Sequence, residues 1–446
     1  MLILWRNAIA TTLREFGGEA LVRRPTLSDY LAVFLFTAIM VIFFSKISWY
    51  DIRTIYSRIG DHLSIAGGLK YWAVALAPFL TLSALYVFRR SFFSAFPVVF
   101  ILLCLHALIT GVLLGNDLAV IVQEIFKYAY MVVAFMISER VLRTVRPFTA
   151  VKFMCDLVVF FVFARLAVFL WMAGTSITFV WGTPNEVLPM AVLTAFYLYG
   201  QTPVRSVLKQ KWSFGALLLS LYGQKRTLAL CAALAVAMAV LNTFTRLKLG
   251  RLFIIVLVLA GIGTSALLLL GPDSFKRYTN TDIEYETSGE SRRATEIELV
   301  INKFRAEPAM LLVGYGGGAT LILPTDIPVQ GGDAEIHSIH NTVSAMILRH
   351  GILGLFIYLV TAFYGIFWCL RLRSTDTPET KILKTTMLIY KVLAFVASIF
   401  IYSVVDDMAL AVMAAIIYKE RRNEATNSNV RSHREDRRHD ADLRPA

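Results

Sequence analysis

Charged side chains are scarce in this chain: Asp, Glu, Lys and Arg together make up 17% of its 446 residues, whereas 57% are hydrophobic. The mean hydropathy is +0.63. So few polar groups cannot cover the surface of a soluble fold of this size. The composition therefore excludes a soluble globular protein and indicates a polytopic membrane protein.

Cysteine is also scarce, and no cleavable leader is apparent. The four cysteines lie inside apolar runs without metal-ligand spacing, so we expect neither a disulfide framework nor a zinc site: Cys104, Cys155, Cys231 and Cys369. The first 26 residues have no apolar core followed by a small-residue cleavage site, so we expect no removable signal peptide. The first apolar span then serves as the targeting signal.

Long apolar runs, by contrast, are abundant. A transmembrane helix needs about 20 consecutive apolar residues. Twelve candidate spans follow from this length: 28–46, 71–88, 93–114, 118–138, 151–173, 185–200, 212–223, 227–245, 252–271, 351–370, 383–403 and 407–418. The sequence therefore predicts an all-α polytopic fold with twelve transmembrane helices.

Positive charge is distributed unevenly between alternate loops. The basic loops contain Arg89 and Arg90; Arg140, Arg143 and Arg146; Arg205, Lys209 and Lys211; Arg246, Lys248 and Arg251; Arg371, Arg373, Lys381 and Lys384. By the positive-inside rule these loops and both termini are cytoplasmic. The net charge of +13 then reflects topology, and a nucleic-acid surface is not needed to explain it.

This topology predicts five parts of the chain. They are a cytoplasmic N-terminal segment (1–26), transmembrane helices 1 to 9 (27–271), a large external loop (272–339), an external helix with transmembrane helices 10 to 12 (340–418), and a disordered cytoplasmic tail (419–446). The external loop lies away from cytosolic nucleotides.

Two pairs of cations lie on the predicted external side. Lys225 and Arg226 stand between two short apolar runs, where positive charge is disfavoured, so they are candidate ligands for an anion. They are equally compatible with a snorkelling pair at the end of a span. Arg292 and Arg293 stand in the first turn of a predicted amphipathic helix, whose dipole disfavours cations. They indicate either a ligand or a solvated surface pair.

That amphipathic helix shows apolar residues at Ile297, Val300, Ile301 and Phe304, with Ser291 as its N-cap and Pro308 ending the pattern. The stretch "LLVGYGGGATL" follows it. Because it lacks a Gly-Lys-Ser/Thr ending and a strand-to-helix context, it is not a nucleotide loop. Gly314 and Gly316 instead predict a tight turn, or a close approach of the backbone to a ligand.

Two histidines stand just before the span at 351–370. On a short helix from Ser338 to Arg349, His337 and His340 point to one side, and Gly351 ends that helix. No third ligand stands at metal-type spacing, so the sequence does not predict a metal site. Either histidine is a candidate general base, because its pKa near neutrality suits removal of a proton from a hydroxyl. The alternative is a histidine that only caps or hydrogen-bonds backbone.

Four of these segments together resemble the O-antigen ligase and polymerase superfamily, over roughly residues 180–370. They are "GTPNEVLPMAVLTAFYL" with Asn185, "LYGQKRTLALCAAL" with Arg226, "SRRATEIELVINKFRAEPAMLLVGYGGG" with Arg293, and "HSIHNTVSAMILRHGILGLFIYL" with His340, Asn341, Gly351 and Gly354. Gln224 stands where that family usually has serine.

The resemblance implies a GT-C-like membrane glycosyltransferase of the bacterial inner membrane, with its active site facing the periplasm. Its donor is a glycan linked to undecaprenyl pyrophosphate. Arg226 and Arg293 then stabilise the departing pyrophosphate without a metal or cofactor, and His340 deprotonates the acceptor hydroxyl. The implied substrate-binding residues are Asn341, Arg292, Lys225, His337, Gly314, Gly316 and Asn185.

Three functions follow as hypotheses. The favoured one is a polymerase that joins lipid-linked repeats into O-antigen or exopolysaccharide, with a chain-length regulator as a candidate partner. The second is a ligase that transfers lipid-linked glycan to lipid A core or to protein. The third is a polysaccharide transporter or flippase, for which the intramembrane charges would be the working groups: Glu124, Lys127, Asp156, Arg165 and Lys391. Glu124 and Lys127 also fit a simple i, i+3 pair.

Overall fold

The computed structural model describes residues 27–44, 94–158, 160, 188, 191–192, 194–195, 296–322, 335–336, 342–372, 376–400 and 409–423. Of these residues, 83% are helical. Within this part of the chain, three helices are long and apolar enough to cross a membrane: Ala95–Leu113, Leu118–Val141 and Thr342–Leu370. They coincide with the predicted spans at 93–114, 118–138 and 351–370, and they support a helical membrane protein.

The elements follow one another along the chain as α1 (Leu27–Phe44), α2 (Ala95–Leu113), α3 (Leu118–Val141), α4 (147–158), α5 (296–306), α6 (Met310–Val313), β1 (Leu321–Ile322), β2 (Glu335–Ile336), α7 (Thr342–Ala362), α8 (Ile366–Leu370), α9 (Pro378–Phe400) and α10 (409–423). The two short strands pair antiparallel, with Leu321 opposite Ile336. The predicted spans at 71–88, 212–223, 227–245 and 252–271 lie outside the described residues.

Helices α2 and α3 form the central hairpin of the described bundle. Gly115 makes the turn with a φ of 73°, which favours glycine. Asp117 then caps α3, since its Oδ1 accepts a hydrogen bond from the Ala119 N–H at 2.8 Å. At the far end of the hairpin, the rings of Phe96 and Phe135 stack 5.2 Å apart. The hairpin thus has two ends, one at Gly115 and one near Phe96 and Phe135, and different segments of the chain contact each end.

Several segments predicted to be cytoplasmic lie together near the end of α3, around residue 140. Asp29, at the start of α1, forms an ion pair with Arg140 at 3.0 Å. Lys419 donates a hydrogen bond to the Leu142 carbonyl. The Arg421 guanidinium lies over the Tyr364 ring, 5.6 Å from its centroid. The basic loop after α3, the start of α1 and the end of α10 therefore meet at one end of the bundle.

Helix α7 is broken at Gly351, which has a φ of 66° and a ψ of −166°. This confirms the predicted end of a short helix at that position. We call residues 342–350 the outer half of α7; they lead into the apolar span that follows. A residue with a side chain is strained at this φ, so the break is encoded locally by the glycine.

Helix α5 and the outer half of α7 share a small core of their own. Its buried residues are Val300, Phe304, Tyr315, Ala319, Leu321, Ala345 and Leu348. The helix predicted from Ile297, Val300, Ile301 and Phe304 is present, and of these four residues Val300 and Phe304 face the core, whereas Ile297 and Ile301 are 37% and 46% exposed. Buried Glu296 continues the line of Val300 and Phe304, and Leu299 packs beside it.

Candidate functional site

The glycine loop, residues 314–318, lies at the end of the hairpin opposite Arg140. Gly314, Gly316 and Gly318 each have a φ of 76°. A Cβ on Gly314 would lie 2.5 Å from the His350 backbone nitrogen, and one on Gly316 would lie 2.6 Å from the Gly111 Cα. The glycines therefore form the predicted tight turn, and the close backbone approach that they allow is to α2 and α7.

Every backbone N–H of the glycine loop is occupied by an acceptor of the protein. The acceptors are, in order, the carbonyls of Met310 at 2.6 Å, Leu348 at 2.7 Å, Arg349 at 2.9 Å and Ala107 at 2.9 Å, and Oε2 of Glu124 at 3.0 Å. A phosphate-binding loop needs free N–H groups that point at its anion. This loop has none to offer in this conformation. Its backbone N–H groups tie α2, α3 and α7 together.

Asn116, in the turn between α2 and α3, holds the other side of the loop. Its Nδ2 donates to the carbonyls of Tyr315 and Gly317, both at 2.8 Å. A side-chain amide has two N–H donors, and here both are used on one loop. Asn116 thus fixes the register of the loop on the hairpin.

An ion pair lies beneath the loop. Nη2 of Arg349 lies 2.5 Å from Oε1 of Glu124, and the side chains are 4% and 5% exposed. The same carboxylate accepts the Gly318 N–H. These two long-range partners were not foreseen by the local pairing of Glu124 with Lys127. Because both charges are buried, the loss of either partner would remove a compensating charge from the other and destabilise the structure.

A second polar cluster, formed by two histidines and a tyrosine, joins α2, α3 and α7. Nδ1 of His106 lies 3.0 Å from Nδ1 of His350. Nε2 of His350 lies 2.7 Å from the Tyr128 hydroxyl. His350 is 1% exposed. These residues were missed from the sequence, although a polar side chain within an apolar span is itself a signal of a structural or functional role.

Tyr315 anchors the loop to α5. Its hydroxyl donates to the Lys303 carbonyl at 3.0 Å, and Nζ of Lys303 lies over its ring, 4.5 Å from the centroid. Burial raises the pKa of Tyr315, and the Glu307 carboxylate raises it further. The phenol therefore stays protonated and remains a donor near neutral pH.

Of the residues predicted to form the site, only Gly314 and Gly316 belong to the described part of the chain. The other predicted residues lie outside it: His340, Arg226, Arg293, Asn341, Arg292, Lys225, His337 and Asn185. Two of the proposed catalytic residues stand close in sequence to described elements. His340 stands two residues before α7, and Arg293 three residues before α5. Those two elements share the small core that also contains Tyr315 of the glycine loop.

No three His, Cys, Asp or Glu side chains among the described residues are grouped so that they could hold a metal ion. The fold and the site together define a helical membrane protein with a buried polar cluster beneath a clamped glycine loop. Neither the scan against protein-family models nor the search of curated proteins returns a match to this chain.

Proposed function

We propose that the chain is a membrane glycosyltransferase that polymerises oligosaccharide repeats linked to undecaprenyl pyrophosphate. The observation that carries the proposal is the shared core of α5 and the outer half of α7. The two elements begin within three residues of Arg293 and His340, a cation and a base that this chemistry needs. The proposed site faces the periplasm of a bacterial inner membrane.

The proposed chemistry is a nucleophilic substitution at the anomeric carbon. His340 takes the proton of the acceptor hydroxyl, the new glycosidic bond forms, and the bond from the anomeric carbon to the pyrophosphate oxygen breaks. Arg226 and Arg293 stabilise the negative charge that leaves with the lipid, because guanidinium groups bind phosphate oxygens in a fork. Asn341, Asn185, Lys225, Arg292 and His337 complete the substrate contacts.

The glycine loop has a different part in this proposal from the one its composition suggests. All of its backbone N–H groups donate to acceptors in α2, α3, α6 and α7. The binding of the pyrophosphate therefore falls to side chains, which fits a site built on two arginines. Gly314 and Gly316 serve the site by allowing the loop to seat against Gly111 and His350.

A transporter is less well supported by the intramembrane charges. Glu124 is held by Arg349 and by the Gly318 N–H, so this carboxylate has a structural role. A carrier needs a charge that can exchange partners with its substrate or ion. The ligase hypothesis shares the same donor chemistry with the polymerase, and the test below separates them by product.

The test replaces Arg226, Arg293 and His340 singly by alanine and compares cell-surface and lipid-linked glycans by size. Matched controls are Arg305→Ala, which removes an exposed arginine of α5, and His433→Ala in the predicted tail. A loss of general base catalysis is expected to slow the reaction about 10²- to 10⁴-fold. Single repeats on the surface indicate a polymerase.

Long polymer stranded on its lipid carrier would instead indicate a ligase. Glycans of unchanged size and amount in all three variants, with the protein present at its normal level, would refute both transferase functions.

A further inference from the structure

The structure brings together two histidines that the proposed mechanism does not use. His106 comes from α2 and His350 ends the outer half of α7. Their ring centroids are 5.1 Å apart, and the two Nδ1 atoms face each other at 3.0 Å. On one side Tyr128 adjoins His350, with 2.7 Å between its hydroxyl and Nε2. On the other side Nε2 of His106 lies 3.5 Å from the Thr110 hydroxyl. The carbonyl of the next residue, Ala107, accepts the Gly317 N–H of the glycine loop.

This arrangement limits where the protons can lie. A gap of 3.0 Å between the two Nδ1 atoms has room for one proton only, so one Nδ1 donates and the other accepts. Burial of His350 disfavours a charged ring, and a neutral ring has one N–H. The two rings therefore carry opposite tautomers. The outer nitrogens face the hydroxyl groups of Tyr128 and Thr110, which can donate or accept in either arrangement. The Tyr128 hydroxyl also lies 3.7 Å from Sδ of Met346.

The contacts therefore form one connected chain, from Tyr128 through His350 and His106 to Thr110. A change of tautomer in one ring requires the matching change in the other, because the gap between the Nδ1 atoms holds a single proton. The two rings are thus fixed as a unit.

We propose that His106 and His350 are positioning residues: a neutral pair, locked in opposite tautomers, that holds the glycine loop and the outer half of α7 against α2 and α3. The pair acts at the far end of the outer half from Thr342, which follows His340 by two residues. The positioning of the reacting groups rests on the proposed function. The existence of the locked pair does not.

A direction-specific contact of this kind does something that apolar packing does not. The glycine loop meets α2 and α7 mainly through backbone atoms, and the main-chain bonds from Tyr315, Gly316 and Gly317 reach both helices. Two rings that must carry opposite tautomers fix the rotation of one helix relative to the other. A slip of either helix would place two donors or two acceptors face to face.

The first experiment is nitrogen NMR of the full chain in lipid nanodiscs, with ¹⁵N-labelled histidine. His106→Gln and His350→Gln assign the two residues, and His433→Gln serves as the control in the predicted tail. The expected spectrum has one of the two histidines protonated on Nδ1 alone and the other on Nε2 alone at neutral pH. The same tautomer in both residues, a doubly protonated ring, or rapid exchange between tautomers in both residues would overturn the pair.

The second experiment compares two substitutions of His106. Asparagine carries an oxygen and an NH₂ group, so it can accept from or donate to Nδ1 of His350, whereas phenylalanine can do neither. We expect His350 to keep its wild-type tautomer in His106→Asn and to exchange between tautomers in His106→Phe. We expect polymer synthesis to follow the tautomer, with a loss of about tenfold or more in the phenylalanine variant, by analogy with other mispositioned catalytic groups.

The outcomes keep the two proposals apart. A wild-type spectrum as expected, with polymer unchanged in His106→Phe, overturns the positioning role. If glycans stay unchanged in His340→Ala while the spectrum is as expected, the proposed function fails and the locked pair stands. If His106→Phe does not fold, His106→Asn and the wild-type spectrum still decide the matter.

Discussion

Replacement of Gly316 by alanine tests whether the glycine loop depends on a close backbone contact. The native φ of 76° strains any residue with a side chain, at a cost of roughly 1 to 2 kcal/mol. The added methyl would also lie 2.6 Å from the Gly111 Cα and from the Thr110 carbonyl carbon. Both are backbone atoms of α2, which cannot move aside alone, so overpacking adds about 1 to 3 kcal/mol.

The total expected loss of unfolding free energy for Gly316→Ala is therefore about 2 to 5 kcal/mol. Gly115 supplies the matched control. It has nearly the same φ, 73°, but a Cβ there would meet nothing within 4 Å among the described atoms. Gly115→Ala should thus lose only the conformational part, about 1 to 2 kcal/mol.

A third variant isolates the contact itself. Gly111 lies within the regular helix α2, and a Cβ on it would lie 2.5 Å from the Gly317 carbonyl oxygen. Alanine at this position gains helix propensity of roughly 1 kcal/mol, so any net destabilisation of Gly111→Ala comes from the contact with the loop.

The assay is unfolding of the purified chain in mixed micelles titrated with SDS, followed by circular dichroism. Limited proteolysis of the segment 307–322 reports whether the glycine loop has detached from α2 and α7. Equal losses for Gly316→Ala and Gly115→Ala, within about 0.5 kcal/mol, would refute the close contact as the reason for glycine at 316.

Three further predictions use the same titration. Glu124→Gln keeps an acceptor for the loop but removes the carboxylate charge that faces buried Arg349, so it should cost about 3 to 5 kcal/mol, and the double variant with Arg349→Met should recover part of that loss. Asn116→Asp turns two donors toward two carbonyls into acceptors; it should cost about 1 to 3 kcal/mol and more than Asn116→Ala, whereas equal losses would contradict the two hydrogen bonds. Because burial raises the pKa of Tyr315, the stability from its neutral hydroxyl should be present at neutral pH and be lost as the pH rises above about 10; Tyr315→Phe should abolish this alkaline step, and an unchanged step would assign it elsewhere.

The helices were the most predictable part of the fold. The runs that become α2, α3 and the span of α7 were predicted within a few residues, because crossing a bilayer demands a length of apolar sequence that is visible locally. The break at Gly351 was predicted for a similar reason, since a glycine between a polar and an apolar helical segment is a local signal.

The partners of the polar residues were much less predictable. Glu124 was expected to pair with Lys127 one turn away, yet it binds Gly318, at a separation of 194 residues, and Arg349. Ile297 and Ile301 matched the helical period of α5 but lie on its exposed side among the described residues. The period defines a stripe, whereas the width of the stripe depends on how much of α5 the neighbouring helix covers.

The candidate site was likewise predictable in part: its local backbone features were predicted, and the groups that contact it were not. Gly314 and Gly316 were singled out because glycine permits left-handed backbone and close contact, and both properties hold in the structure. The identity of the contacting group was the open question. Ligand and helix backbone make the same local demand on a glycine, so the sequence alone does not distinguish them.

The sequence by itself determined that this chain is a helical membrane protein, where its apolar helices run and where its backbone must turn. Hydrophobic length and glycine conformation are properties of a short segment, so they can be inferred one segment at a time. Only the tertiary structure decided that the N–H groups of the glycine loop donate hydrogen bonds to α2, α3 and α7 and that His106 contacts His350. The contacts with α2 and α3, and the contact between the two histidines, join segments more than 190 residues apart, and all of these contacts depend on how the helices pack rather than on any local pattern.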